Sequence, residues 1–226
     1  MRIDITGCIV SDNDAWIYDW CGMEFTNPKR VKNNLIEANG SPVDIYINSG
    51  GGDIFAGSEI YSELRNYTGE VKIHVTGLAA SAASVIACAA KSDISPTAMV
   101  MVHNVACNAN GDYHKMDKQS EVLKKANETI ASAYVTKTGM SMEDALEMMD
   151  QETWLSASNA VAKGLIDEIS ESKNMQLVAS YDSGLIPRNV IEKLRNQRLE
   201  NDDDFLCVKK TAQAKLNQLK LGGFER

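Results

Sequence analysis

An α/β fold with crossover connections is predicted by two features of the sequence. Short stretches that alternate apolar and polar residues recur along the chain, and stretches of helical periodicity lie between them. Strands alternating with helices imply an α/β protein with crossover connections.

Ile3 and Ile5 begin the first half-buried strand. Val43, Ile45 and Ile47 mark a second, and Val71, Ile73 and Val75 a third. Residues 98–103 (A-M-V-M-V-H) form a continuous apolar run, the pattern of a strand buried on both faces. Residues 54–67 place Ile54, Ile60, Tyr61 and Leu64 on one helical face, and 82–90 read as a helix of small residues. A long helix is expected over 112–138, with Tyr113, Met116, Leu123, Ala126, Ile130 and Tyr134 near one face and Gly139 as its stop. Ser141-Met142-Glu143-Asp144 caps the next helix, through Met149. Ser156 caps another, ended by Gly164 before a short strand over 165–169. Beyond Glu171 come Pro187, the run Asp202-Asp203-Asp204 and a Lys-rich amphipathic stretch over 208–221. The expected division is a domain over 1–170 and a helical, partly mobile extension over 171–226. No internal repeat or low-complexity tract interrupts either.

The 226 residues carry 23 basic and 31 acidic groups, a formal charge of -8. Residues 1–170 hold 13 of the basic and 23 of the acidic groups, so the acidic excess belongs to the body and the extension is mildly basic. An acidic body argues against nucleic acid as the main partner. The N-terminus lacks the apolar segment of a signal peptide, and the weakly polar run over 77–90 falls short of the ~20 residues that span a bilayer. Cys8, Cys21, Cys88, Cys107 and Cys207 form no C-x-x-C pair, which supports neither a zinc site nor a redox motif. A soluble cytoplasmic protein with reduced cysteines and no membrane partner is the expectation.

Three segments hold residues suited to chemistry. Asn48-Ser49-Gly50-Gly51-Gly52-Asp53 stands between a strand and a helix, where glycine lets backbone N–H groups approach a negative charge. It lacks the Gly-Lys-Ser/Thr of a phosphate-binding loop, and Phe55 breaks a G-x-G-x-x-G pattern. Alone, it also reads as a plain tight turn. Gly77 to Ser84 (G-L-A-A-S-A-A-S) presents Ser81 at a second strand-to-helix turn, near the positive end of the helix dipole. Its simpler reading is an N-cap serine before a packing helix, with Ser84 one turn further in and facing that packing. His103 ends the apolar strand, where α/β folds collect functional side chains. His74, mid-strand beside Lys72 and Thr76, and the solvated His114 are weaker candidates. A serine–histidine pair also needs an orienting carboxylate, and Asp150 and Glu152 are both available.

Taken together, I-N-S-G-G-G-D-I-F-A-G (47–57), the 77–84 segment, M-V-H-N (101–104) and E-T-W-L-S-A-S-N-A-V-A-K-G-L-I-D (152–167) resemble the ClpP serine peptidase family. The S-A-A-S and E-T-W-L-S variants resemble its phage and prophage branch, often associated with head maturation. The resemblance implies a superhelical fold of repeated β-β-α units with a protruding handle helix, here 112–138, through which rings stack. It makes Ser81 the nucleophile, His103 the general base and acid, and Glu152 the third member, with Asp150 in reserve. It assigns the oxyanion hole to the backbone of Gly52 and Ala82. Substrate bound as an added strand would run along Asp53, Ile54 and Phe55. No metal or organic cofactor is implied. The implied protein is a homo-oligomeric ring, hexameric or heptameric, single or stacked, that cleaves peptides or capsid and scaffold proteins in the cytoplasm of a bacterial host.

Several positions depart from the family pattern. Gly50 replaces the usual proline, and Asn104-Val105 replaces Gln-Pro. The chain starts almost at its first core strand, without the axial-loop segment that engages an unfoldase, so docking to an AAA+ ATPase is not expected. Two other readings compete. One is an acyl-CoA enzyme of the related crotonase superfamily, which shares the fold and a two-amide oxyanion hole. The other is a catalytically silent scaffold or assembly protein.

Overall fold

The computed structural model describes residues 1–170, and the predicted helical extension over 171–226 lies outside the described residues. In chain order the elements are β1 (Arg2–Ile9), α1 (Ala15–Trp20), β2 (Phe25–Thr26), α2 (Pro28–Ala38), β3 (Val43–Gly52), α3 (Ile54–Asn66), β4 (Val71–Ala80) and α4 (Ala82–Ala87). There follow β5 (Lys91–Ile94), β6 (Met99–Val102), α5 (Tyr113–Thr138), α6 (Met142–Asp150), β7 (Thr153–Ser156), α7 (Ala157–Ala162) and β8 (Glu168–Ile169).

The expected α/β architecture is the observed one. The strands form one sheet in the order β2-β1-β3-β4-β5-β8, with β6 pairing to β4 and β7. Every pairing is parallel except β6 with β7. The long strands bend midway. Register shifts between Thr6 and Cys8 and between Ile47 and Ser49 divide β1 and β3 into two segments. Strand β4 divides likewise: Lys72 to Val75 pair with β5, and Leu78 to Ala80 pair with β6. One bend is locked where the side chain of Asn48 accepts from the Leu78 amide at 3.1 Å. Gly77 makes room for it, since a Cβ there would fall 2.4 Å from Asn48 Oδ1.

The alternation has a direct consequence for packing. Ile3, Ile5, Val43, Ile45, Ile47, Ile73 and Val75 are buried on one face of the sheet, against α3 and α4. Burying one such side chain contributes about 1.5–3 kcal/mol. The other face carries Asp44, Tyr46, Lys72 and His74. There His74 Nδ1 lies 2.9 Å from both Asp93 carboxylate oxygens, its Nε2 lies 3.2 Å from Asp44, and its ring stacks on Tyr46. His74 is therefore held by structural partners, away from the candidate chemistry. His114 is exposed and packs on the Tyr113 ring.

Some elements were not predicted. Helix α2 carries a legible stripe (Val31, Leu35, Ala38) and Pro28 at its start, so its signal lay in the sequence. Helix α1 buries none of its residues, and β2, β5 and β7 are two to four residues long, so neighbours rather than local pattern define them. The helix expected over 82–90 ends at Ala87, and the strand expected over 165–169 contracts to Glu168–Ile169 because Leu165 and Ile166 turn into the core.

Helix α5 follows its expected bounds but buries only its far end. Ile130, Ala131, Ala133 and Tyr134 are buried, whereas Tyr113, Met116 and Val122 are exposed in the single chain. No helix among the described residues is long and apolar enough to cross a membrane, and no group of His, Cys, Asp and Glu among them is placed to hold a metal ion.

Candidate active site

Two strand ends create the site. In the parallel pair β4–β6, Ala80 lies opposite Met101, so Ser81 and His103 emerge just beyond neighbouring ends. The Ser81 amide donates to the Met101 carbonyl at 2.9 Å, which pins the turn to the histidine strand. Ser81 Oγ and His103 Nε2 are 2.8 Å apart. With the proton on Nδ1, Nε2 accepts from the serine hydroxyl, the polarity that general-base activation requires.

Ser81 sits at φ 55° and ψ -124°, in a region that non-glycine residues rarely occupy. Such a conformation costs on the order of 1–3 kcal/mol and persists only where neighbours enforce it. Its carbonyl accepts from the Ser84 amide at 2.9 Å and from Ser84 Oγ at 2.7 Å. Ser84 Oγ also lies 2.8 Å from the Tyr134 hydroxyl on α5. Burial pushes the Tyr134 phenol above its ordinary range, and the bond to Ser84 offsets only part of that. The phenol thus keeps its proton and donates to Ser84, which donates onward to Ser81. On the other side, Gly51 lies against Ser81: a Cβ there would come 2.8 Å from Ser81 Cβ and 2.6 Å from the Ala80 carbonyl.

Gly52 and Ala82, the expected oxyanion donors, line the same cavity as Ser81 and His103, a space of about 280 Å³. Ile54, Phe55, Val85, Ile130 and Tyr134 add an apolar wall. Asp53, Ile54 and Phe55 also border it. The Asp53 carboxylate accepts from the Ala56 amide at 2.8 Å and caps α3, so Ile54 and Phe55 lie in a helical turn.

Neither carboxylate bonds to the histidine. Asp150 accepts from Asn104 Nδ2 at 2.5 Å, and Glu152 accepts from the Trp154 indole at 3.3 Å. Among the described residues, the His103 ring has Ser81 as its hydrogen-bond partner. The antiparallel pair β6–β7 sets Val102 opposite Thr153, the chain neighbours of His103 and Glu152. Glu152 is held at φ 46°. Asn104 Oδ1 is buried without a partner among the described residues.

Sequence reasoning assigned Tyr134 to a helix face and Ser84 to packing, and it did not single out Gly51 or Asn104 as site residues. For Tyr134 the periodic signal was present, but only the packing of α5 against α4 shows what its hydroxyl meets. Cys88 is a poor competing nucleophile, because burial pushes its thiol up to about 12.

The sequence pattern of the Clp protease family matches residues 34–173, more than half of the chain. The chain belongs to the Clp protease family. Among members of that family, it is 32% identical over 157 residues to the ATP-dependent Clp protease proteolytic subunit 1 of Chlamydia abortus, covering 67% of this chain and 76% of that protein. The ATP-dependent Clp protease proteolytic subunit of a Bacteroides fragilis strain is 30% identical over 133 residues, 58% of this chain and 64% of that protein. A solved structure of a ClpP1 mutant from Listeria monocytogenes superposes with a TM-score of 0.63 at 25% identity, covering 76% of this chain and 92% of that one. The Clp protease fold is therefore the observed fold.

Proposed function

We propose that this Clp protease family member is a serine endopeptidase that cleaves peptide bonds through an acyl-enzyme. The observation that carries this reading is the 2.8 Å contact between Ser81 Oγ and His103 Nε2 in an apolar-walled cavity. His103 takes the serine proton as Oγ attacks the peptide carbonyl, then returns it to the leaving amine. Water, deprotonated by the same ring, releases the acyl group. The backbone N–H groups of Gly52 and Ala82 receive the oxyanion, each commonly worth about 3 kcal/mol to the transition state. Glu152 is the orienting carboxylate, reached by a side-chain rotation away from Trp154. Its support is the strand register that pairs Val102 with Thr153, the chain neighbours of His103 and Glu152. Asp150 is the reserve, committed to Asn104. The chemistry draws on side chains and backbone alone, with no metal or organic cofactor.

The bare N-terminal half of α5, with Tyr113, Met116 and Val122 exposed, supports assembly into hexameric or heptameric rings, single or stacked. The S-A-A-S and E-T-W-L-S segments support capsid or scaffold proteins as substrates in a phage or prophage setting. The family match and the paired Ser81–His103 both favour a peptidase over an acyl-CoA enzyme or a silent scaffold.

The test is fluorophosphonate labelling of the assembled wild type and of Ser81→Ala. Labelling of the wild type alone is the expected outcome. Absence of labelling in a folded, assembled wild type defeats the peptidase reading and leaves CoA binding as the next assay.

A further inference from the structure

A second cavity, of about 670 Å³, opens beside the first, and the catalytic reading does not use it. Its floor is the end of β1, Cys8 to Val10, and its wall is the α1 segment, with Ile17, Tyr18, Cys21 and Met23. Gly52 and Asp53 line both cavities, so the two meet at the turn that carries the expected oxyanion donor. Gly52 presses on β1 there: a Cβ on it would fall 2.1 Å from the Ile9 carbonyl oxygen. The Asp53 amide donates to that same carbonyl at 2.8 Å. The floor of the second cavity is thus fixed to the loop that faces Ser81.

The α1 wall is a built structure. Ser11 and Asp14 satisfy each other at 2.8 Å, and the Tyr18 ring packs on Phe25 with centroids 6.1 Å apart. Polar groups at the rim are therefore already partnered, which leaves an apolar interior of suitable size for ligand side chains. Helix α1 buries none of its own residues, and Met23 of the wall is exposed. The whole wall precedes residue 34, where the family pattern begins to match, while Gly52 and Asp53 lie within the match.

We propose that this cavity is a substrate subsite, which takes a bulky apolar side chain of the peptide on the far side of the Gly52–Asp53 turn from the Ser81 cavity. The proposal rests on the peptidase reading and extends it to specificity. A peptide lying across that turn presents one side chain to the wall of Val85, Ile130 and Tyr134. A neighbouring side chain, across the scissile bond, meets Ile17, Tyr18 and Cys21. Peptides with Phe or Leu at that position are the favoured class over those with Gly or Asp.

Two matched series of internally quenched peptides test this, with Phe or Gly placed in turn at each position around one bond whose cleavage is mapped by mass spectrometry. Filling the cavity with Cys21→Trp is expected to lower kcat/KM at least tenfold for the best Phe peptide, through KM. The Gly peptide and fluorophosphonate labelling of Ser81 stay unchanged. Tyr18→Ala should reduce the Phe preference in the same direction. Equal losses on both peptides, or no loss on either, overturn the proposal. Maleimide labelling of Cys8 and Cys21 in the Ser81→Ala protein gives a readout free of turnover. Slowed labelling with the Phe peptide but not the Gly peptide supports the subsite, and identical rates overturn it. A wild type that fluorophosphonate leaves unlabelled instead defeats the peptidase reading, and thiol protection then still decides the cavity.

Discussion

Ser84 Oγ and the Tyr134 hydroxyl lie 2.8 Å apart, fifty residues distant in the chain, and their bond ends on the carbonyl of Ser81. The inner end of the long helix thereby helps hold Ser81 at its positive φ. Tyr134→Phe removes one buried bond and should cost about 1 kcal/mol of stability. Ser84→Ala strands the phenol and should cost about 1–3 kcal/mol. The double variant should lose less than the sum, because removing both partners leaves nothing unsatisfied. Chemical denaturation of the four proteins measures the coupling, and strictly additive losses contradict the relay.

Gly51 and Gly50 should respond in opposite ways to alanine. Gly51 has φ +89° and no room for a Cβ beside Ser81, whereas Gly50 faces open space. Gly51→Ala is expected to depress the rate of Ser81 labelling by about 100-fold or more, since a misplacement of ~1 Å costs that much in a preorganised site. Gly50→Ala should stay within a few-fold of wild type. Equal tolerance at both positions contradicts the packing of Gly51 on Ser81.

The two carboxylates can be separated by isosteric amides. Glu152→Gln is expected to reduce kcat/KM for a peptide by about 100-fold or more, because an amide cannot stabilise the imidazolium that forms on His103. Asp150→Asn keeps an acceptor for the Asn104 amide and should have a much smaller effect. If the losses fall the other way round, Asp150 is the third member.

A pH effect is expected at Asp167. Burial raises its pKa, but the hydrogen bond and charge of Lys137 and the bonds from Ser92 outweigh that and leave the pKa below its ordinary value. A depressed carboxylate pKa stabilises the fold above the unfolded-state pKa, and that contribution is lost as pH falls through the folded one. The carboxylate is 39% exposed, so solvent screening keeps the gain small. Asp167→Asn should lower Tm at pH 7, and the gap to wild type should close as the solution is acidified toward pH 3. A gap independent of pH points to packing alone.

Local pattern was enough for the strands whose faces differ in burial. The alternation of Ile45 and Ile47 with Asp44 and Tyr46 fixes which side of β3 meets the core. It was also enough for Ser81, the Gly50–Gly52 turn and His103, because each sits where a strand ends and the chain must turn. Elements such as α1, β5 and β7 carried too little local signal. Each is short, and its pairing or docking energy comes from neighbours distant in sequence.

By itself, then, the sequence determined the alternating strands and helices, the turns that present Ser81, Gly52 and His103, and a family resemblance that the match over residues 34–173 bears out. Tertiary structure alone decided what those residues meet. Pairing of β4 with β6 brings Ser81 and His103 to 2.8 Å, and packing of α5 on α4 brings Tyr134 to Ser84. It also turned Asp53 into a helix cap and directed Asp150 and Glu152 toward Asn104 and Trp154. The reason is physical. Periodicity and turn chemistry act over a few residues, while a hydrogen bond across fifty depends on how whole elements pack, which no local pattern encodes.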